Sequence, residues 1–70
     1  MNENFKLSYY ELVSIVSRFK LAKTQSSIEY LTKLVKKKYQ ELVQQTTNQT
    51  ELDIVRKLKT IIVETYYDKQ

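Results

Sequence analysis

Residues 26–45 read SSIEYLTKLVKKKYQELVQQ, and one side of this segment is apolar. Its apolar residues are Ile28, Leu31, Leu34, Val35, Tyr39 and Leu42. They recur every three or four positions, which is the spacing of one face of an α-helix. The other side carries lysines and glutamines. The segment therefore predicts a helix that packs one face against a core and leaves a basic face for solvent or a partner.

Two further segments with helical spacing flank this one. The apolar residues of the first are Leu12, Ile15, Val16, Phe19 and Ala22, and those of the last are Leu52, Ile54, Val55, Leu58, Ile61, Ile62 and Tyr66. The chain contains no glycine and no proline, so it has few sites for tight turns, and long helices are favoured. We therefore expect one small all-α domain over residues 1–70, with helices at about 8–23, 26–45 and 50–67. Short connectors predict a three-helix bundle with antiparallel neighbours.

The helix ends are predicted from capping boxes, in which a hydroxyl and a carboxylate satisfy free backbone N–H groups. The pairs are Ser8 with Glu11, Ser26 with Glu29 and, as a weaker pattern, Thr50 with Asp53. Residues 1–6 are expected to be frayed, and Asn48 is expected to adopt the left-handed conformation after the second helix. Residues 60–67 are rich in β-branched and aromatic side chains, which leaves a terminal strand open, but their helical spacing favours a helix.

The composition argues against catalysis and against a bound cofactor. There is no cysteine, histidine or glycine, so the chain lacks thiolate chemistry, the commonest metal ligand and a phosphate-binding glycine loop. No pair of carboxylates has a spacing that suggests an acid–base dyad. We expect no enzyme, no metal, no cofactor and no small-molecule substrate. The lack of a long apolar run or a basic, apolar N-terminus predicts a cytoplasmic protein without a membrane span.

Positive charge is concentrated in the middle of the chain. The net charge is +4, and the segment from Arg18 to Lys38 holds seven basic residues and one acidic residue. The residues predicted to bind nucleic acid or an acidic partner are Arg18, Lys20, Lys23, Tyr30, Lys33, Lys36 and Lys37. Antiparallel helices would bring Tyr66 and Tyr67 to the same end of the bundle, where they would either stack on bases or cover the core.

A second interpretation of the basic helix is direct DNA binding. LAKTQSSIEYLTKLVKKKY resembles in spacing the turn and second helix of a helix-turn-helix, with the basic helix 26–45 entering DNA. The helix is longer than a typical recognition helix, and the turn lacks the usual glycine.

The third helix has more apolar surface than one neighbouring helix can cover. Either the third helix is wedged between the other two, or its remaining apolar surface forms an interface with another protein chain. The residues predicted for a protein interface are Ile54, Ile61, Leu21 and Tyr10. The favoured hypothesis is a non-enzymatic protein–protein interaction module, a small accessory or self-associating subunit such as a dimer. The central positive charge would suit this subunit to a nucleic-acid-processing complex.

Overall fold

A computed structural model describes residues 2–70, which form three α-helices and no strand. Helix α1 comprises Glu3–Leu21, α2 comprises Gln25–Gln44 and α3 comprises Gln49–Asp68. The predicted all-α class is confirmed. Residues 60–67 continue α3, so the alternative of a terminal strand is wrong. Helical spacing outweighs the β-branched composition here because the spacing buries Leu58 and Thr65 on one face.

The core combines apolar side chains from all three helices. Its buried members are Phe5, Leu12, Ile15, Val16, Phe19, Leu31, Val35, Leu42, Val55 and Leu58. Half of them belong to α1, whereas α3 supplies only Val55 and Leu58. The stripe predicted in residues 26–45 faces this core, with Leu31, Val35 and Leu42 buried. The three predicted apolar faces therefore do pack together.

The first helix begins earlier than predicted. Asn2 caps it, because its Oδ1 accepts a hydrogen bond of 2.7 Å from the backbone N–H of Phe5. The Phe5 side chain is completely buried, so the predicted fraying is wrong for residues 2–6 (Met1 lies outside the described residues). Ser8 lies inside the helix and caps nothing. An asparagine and a serine are about equally good N-caps, so the buried phenylalanine selects the earlier start.

The other two helices each begin one residue before their predicted starts, and their caps lie two residues before the predicted ones. Thr24 caps α2 by accepting from the N–H of Ser27, and Asn48 caps α3 by accepting from the N–H of Glu51 at 2.9 Å. Asn48 has φ −149°, which is extended backbone, so the predicted left-handed conformation is wrong. Its side-chain oxygen is used as the N-cap of the next helix instead.

Glu51 connects the start of α1 to the α2–α3 connection at one pole of the molecule. Its buried carboxylate accepts hydrogen bonds from the Thr47 N–H at 2.8 Å, the Thr47 hydroxyl at 3.0 Å and the Asn2 N–H at 3.2 Å. The hydrogen bond from the Thr47 backbone is the main cause of a lowered pKa for this carboxyl, and burial opposes it. The beginning of α1 is thereby attached to the connection between α2 and α3.

At the opposite pole, Lys69 joins the end of α3 to the end of α1. Lys69 Nζ donates to the carbonyl oxygens of Lys20 at 2.6 Å and Ala22 at 2.8 Å, so the end of α3 lies against the end of α1. A cation is favourable there because the last carbonyl groups of a helix carry partial negative charge. Hydrogen bonds at both poles therefore hold α1 and α3 together.

The three helix pairs do not pack equally closely. The α1 and α2 backbones approach each other along most of their length, while α3 lies farther from both. The molecule is elongated, with extents of 37 × 18 × 15 Å. The wider separation of α3 from α2 leaves a surface groove, which is the candidate site.

Candidate protein-binding groove

The groove runs between α2 and α3 and has an apolar floor. Phe19, Val35 and Ile62 form this floor beneath the two helices. The walls comprise Thr32, Lys36 and Tyr39 from α2 and Lys59, Val63, Tyr66 and Tyr67 from α3. We call this set of residues the α2–α3 groove. A concave apolar surface of this kind is suited to contact with another apolar surface.

Helical spacing explains the composition of each wall. Lys59, Val63 and Tyr66 are spaced i, i+4 and i+7, so they lie along one side of α3. Thr32, Lys36 and Tyr39 have the same spacing along α2. Val63 and Tyr66 are 41% and 39% exposed, so part of their apolar surface is left uncovered by the fold. The two rows face each other across the floor, and each contributes one lysine.

The groove lysines are not neutralised within the fold. Over residues 2–70 neither Lys36 nor Lys59 forms a salt bridge. Lys33 lies in a cavity that continues the groove toward the start of α2 and the end of α3, together with Gln25 and Tyr66. Glu29 is the only acidic side chain of the described residues that lines this series of cavities, and its Oε1 accepts from Gln25 Nε2. The groove therefore has a positive rim.

Lys38, on the other flank of α2, forms salt bridges within the fold. Its Nζ lies 2.9 Å from Oε2 of Glu11 on α1 and 3.2 Å from Oε2 of Glu41. These hydrogen bonds, Glu11 first, raise the pKa of Lys38 above its ordinary value. The lysine on the flank of α2 that faces α1 is thus paired within the fold, whereas Lys36 on the flank that faces α3 forms no salt bridge within residues 2–70.

The predicted basic residues fall in three different places. Lys33 and Lys36 border the α2–α3 groove and its continuation. Lys37 is exposed but lines none of these cavities, and Tyr30 is also exposed. The remaining residues, Arg18, Lys20 and Lys23, are exposed around the end of α1, where Lys69 also lies.

The predicted protein-interface residues differ in exposure and lie outside the groove. Ile54 is partly buried against the core, and Ile61 is 41% exposed. Tyr10 and Leu21 are 64% and 78% exposed and lie on the outer side of α1, away from its buried residues. Tyr10 makes an edge contact with Tyr9 at a centroid distance of 5.7 Å. Apolar surface therefore remains on α1 and α3 after the core is formed.

Sequence reasoning missed two contributors to the groove, Lys59 and Val63. Their i, i+4 spacing was visible, but the C-terminal part of the chain is slightly acidic as a whole, and that average hid an individual lysine beside an apolar row. Whether Lys59 and Val63 lie opposite Lys36 depends on how α3 is placed against α2. No local pattern specifies that placement.

Other kinds of site find no support in the described part of the chain. Residues 2–70 include no group of three or more acidic side chains placed to hold a metal ion. No helix within the same range is both long enough and apolar enough to cross a bilayer. Comparison with protein-family models, with curated proteins and with solved structures produced no match.

Proposed function

We propose that this protein is a non-enzymatic protein-binding module whose α2–α3 groove receives a helix of a partner protein. The observation that carries the proposal is the apolar floor of Val35 and Ile62 beneath exposed Val63 and Tyr66. An amphipathic helix can place its apolar side chains in such a groove at positions i, i+3, i+4 and i+7. The module would act as a small accessory subunit of a larger complex, including a nucleic-acid-processing one.

The proposal includes a bundle with antiparallel neighbours. Asn2 Nδ2 at the start of α1 donates to the carbonyl of Gln45 just after α2, and the Lys38–Glu11 salt bridge joins the middle parts of these helices. Such contacts at several levels are expected when two helices run side by side in opposite directions. The Lys69 contacts then give α3 the same direction as α1.

The same contacts favour protein binding over helix-turn-helix DNA binding. In a helix-turn-helix the two helices cross at about 90–120°, so they diverge away from the turn. Here Asn2 and Gln45, both far from the α1–α2 connector, are joined by a hydrogen bond. The exposed Lys37 can still contact phosphate, so nucleic acid remains an arm of the test.

Affinity capture with two matched variants tests the proposal. Val63→Glu puts a charge on the groove wall, and Leu21→Glu puts the same charge on the outer side of α1; both positions are exposed, so both variants should fold. Immobilised wild type and Leu21→Glu should retain the same partner protein from an extract of the native host after nuclease treatment. Val63→Glu should lose it.

Three results would contradict the proposal. Capture that disappears on nuclease treatment would indicate nucleic acid as the ligand. Loss of the partner from Leu21→Glu but not from Val63→Glu would place the interface on α1. A dimer in sedimentation that Ile61→Glu or Ile54→Glu dissociates, with no other partner captured, would indicate self-association as the function.

A further inference from the structure

The groove has a charge pattern as well as an apolar floor. Lys36 lies on its α2 wall and Lys59 on its α3 wall, and both line the same cavity with Val35 and Ile62. Neither lysine has a salt-bridge partner within residues 2–70. An occupant of the groove would therefore have a cation on each side of it.

From this arrangement we infer that the occupant is an acidic amphipathic helix, with apolar side chains on the groove floor and carboxylates on both flanks. This inference rests on the proposed function and specifies its partner. Carboxylates at the two edges of the occupant would meet Lys36 and Lys59, while a neutral helix would leave both charges without a partner. Complementary charges at the rim of an interface mainly increase specificity and the rate of association.

The length of the groove suits a helix. It extends along α2 from Tyr39 to Thr32, and its continuation reaches Gln25. The segment from Gln25 to Tyr39 has 15 residues, so its ends are 14 helical steps of 1.5 Å apart, about 21 Å or four helical turns. A helical peptide of about 18 residues would cover this distance, because it is about 27 Å long.

Two other occupants fit the chemistry less well. A second copy of the chain carries the same net charge of +4 and would bring like charges together. A nucleic acid would meet Lys36 and Lys59 with phosphates, but the apolar floor of Phe19, Val35 and Ile62 offers no hydrogen bonds to bases. The acidic helix uses both the floor and the rim.

Fluorescence polarisation with two designed peptides of about 18 residues tests this inference, the length following from the groove. Both peptides carry leucines at i, i+3, i+4 and i+7; one has glutamates at the flanking positions, and the other has glutamines there. The wild-type protein should bind the glutamate peptide more tightly, by about tenfold at low salt, and the preference should shrink as salt is added. In Lys36→Gln/Lys59→Gln the preference should disappear.

A matched control separates local charge from net charge. Lys37→Gln/Lys57→Gln removes the same number of charges from exposed lysines that do not line the groove, and the peptide preference should remain. A loss of preference in this control equal to that in the groove variant would overturn the inference, because the effect would then be one of total charge.

The remaining outcomes distinguish failure of the inference from failure of the proposed function. Equal binding of both peptides, abolished by Val63→Glu, would overturn the acidic partner and leave the groove as a protein-binding site. Binding of neither peptide, together with tight, salt-sensitive binding of a single-stranded oligonucleotide of about 15 nucleotides, would overturn both.

Discussion

Truncation of Phe5 to alanine should remove a large part of the stability of this protein. Phe5 is completely buried and lies beside the ring of Tyr9, with 6.3 Å between centroids and 12° between the ring planes. Truncation of a buried phenylalanine costs about 3–5 kcal/mol, since both the transfer free energy and the packing around it are lost. The whole fold of 70 residues is stabilised by about 3.5–10 kcal/mol, at about 0.05–0.15 kcal/mol per residue.

Urea denaturation and thermal denaturation, each followed by circular dichroism at a helix band, measure this loss. With about 4–8 °C per kcal/mol in a domain of this size, the melting temperature should fall by about 12–40 °C. Leu7→Ala is the matched control, because Leu7 is 60% exposed and only two residues away. It should change the free energy of unfolding by less than about 0.5 kcal/mol.

A frayed N-terminus would reverse the order of the stability losses in the Phe5 and Leu7 variants. If the first six residues were frayed and the helix began at Ser8, Phe5→Ala would be nearly neutral and Leu7→Ala would cost more, since Leu7 would then pack on the first turn. That result would refute the early start of α1. Phe5→Leu provides a milder variant, with an expected loss of about 1 kcal/mol, in case the alanine variant is unfolded at 25 °C.

Three further changes test the polar contacts. Asn48→Ala should lower the free energy of unfolding by about 1 kcal/mol, because it removes the N-cap of α3. Thr50→Ala, at the cap predicted from the sequence, should be nearly neutral in the same denaturation assay. Equal losses in the two variants would argue against Asn48 as the cap. The pKa of Glu51 is lower in the folded than in the unfolded chain, so its contribution is present above pH 4.5 and is lost as the pH falls through the folded pKa. Glu51→Gln should therefore flatten the acid side of the stability profile, and an unchanged profile would contradict the buried carboxylate. The pKa of Lys38 is raised from 10.5, so its small contribution is present below pH 10.5 and is lost as the pH rises through the folded value. Glu11→Gln, which removes the larger cause, should reduce this alkaline loss, and an identical alkaline profile would show that the pair does not form in solution.

The apolar stripes could be predicted from the sequence because a helix imposes its own period on the residues that it buries. Leu31, Val35 and Leu42 were assigned to the core from spacing alone, and the structure confirms them. Phe5 continues the period of α1, since it lies seven residues before Leu12, but the Ser8–Glu11 capping pattern predicted a helix start after it. The hydrogen bond between the start of α1 and Glu51 accompanies the earlier start.

The helix ends illustrate a different limit. Asn, Ser and Thr have similar value as N-caps, so a chain that offers several of them near each boundary permits several starts. The caps in the structure are Thr24 rather than Ser26 for α2 and Asn48 rather than Thr50 for α3. For α3 the decisive contact is Glu51, whose carboxylate must reach both Thr47 and Asn2.

The candidate site was predicted only in part, for a related reason. Lys33 and Lys36 were identified from the basic face of residues 26–45, and they do border the groove. Lys59 and Val63 complete it from α3, more than 20 positions along the chain. The distance of α3 from α1 and α2 depends on the sizes of side chains throughout the core, and a periodic pattern carries no such information.

Mapping of backbone amide shifts by NMR, during titration with the glutamate peptide, tests the central claim most directly. If a partner helix occupies the α2–α3 groove, the largest shifts should occur at Lys36, Lys59, Val63 and Tyr66, on both sides of the floor. Tyr10 and Leu21 on the outer side of α1 should shift little. The largest shifts at Tyr10 and Leu21, with the groove unchanged, would contradict the account.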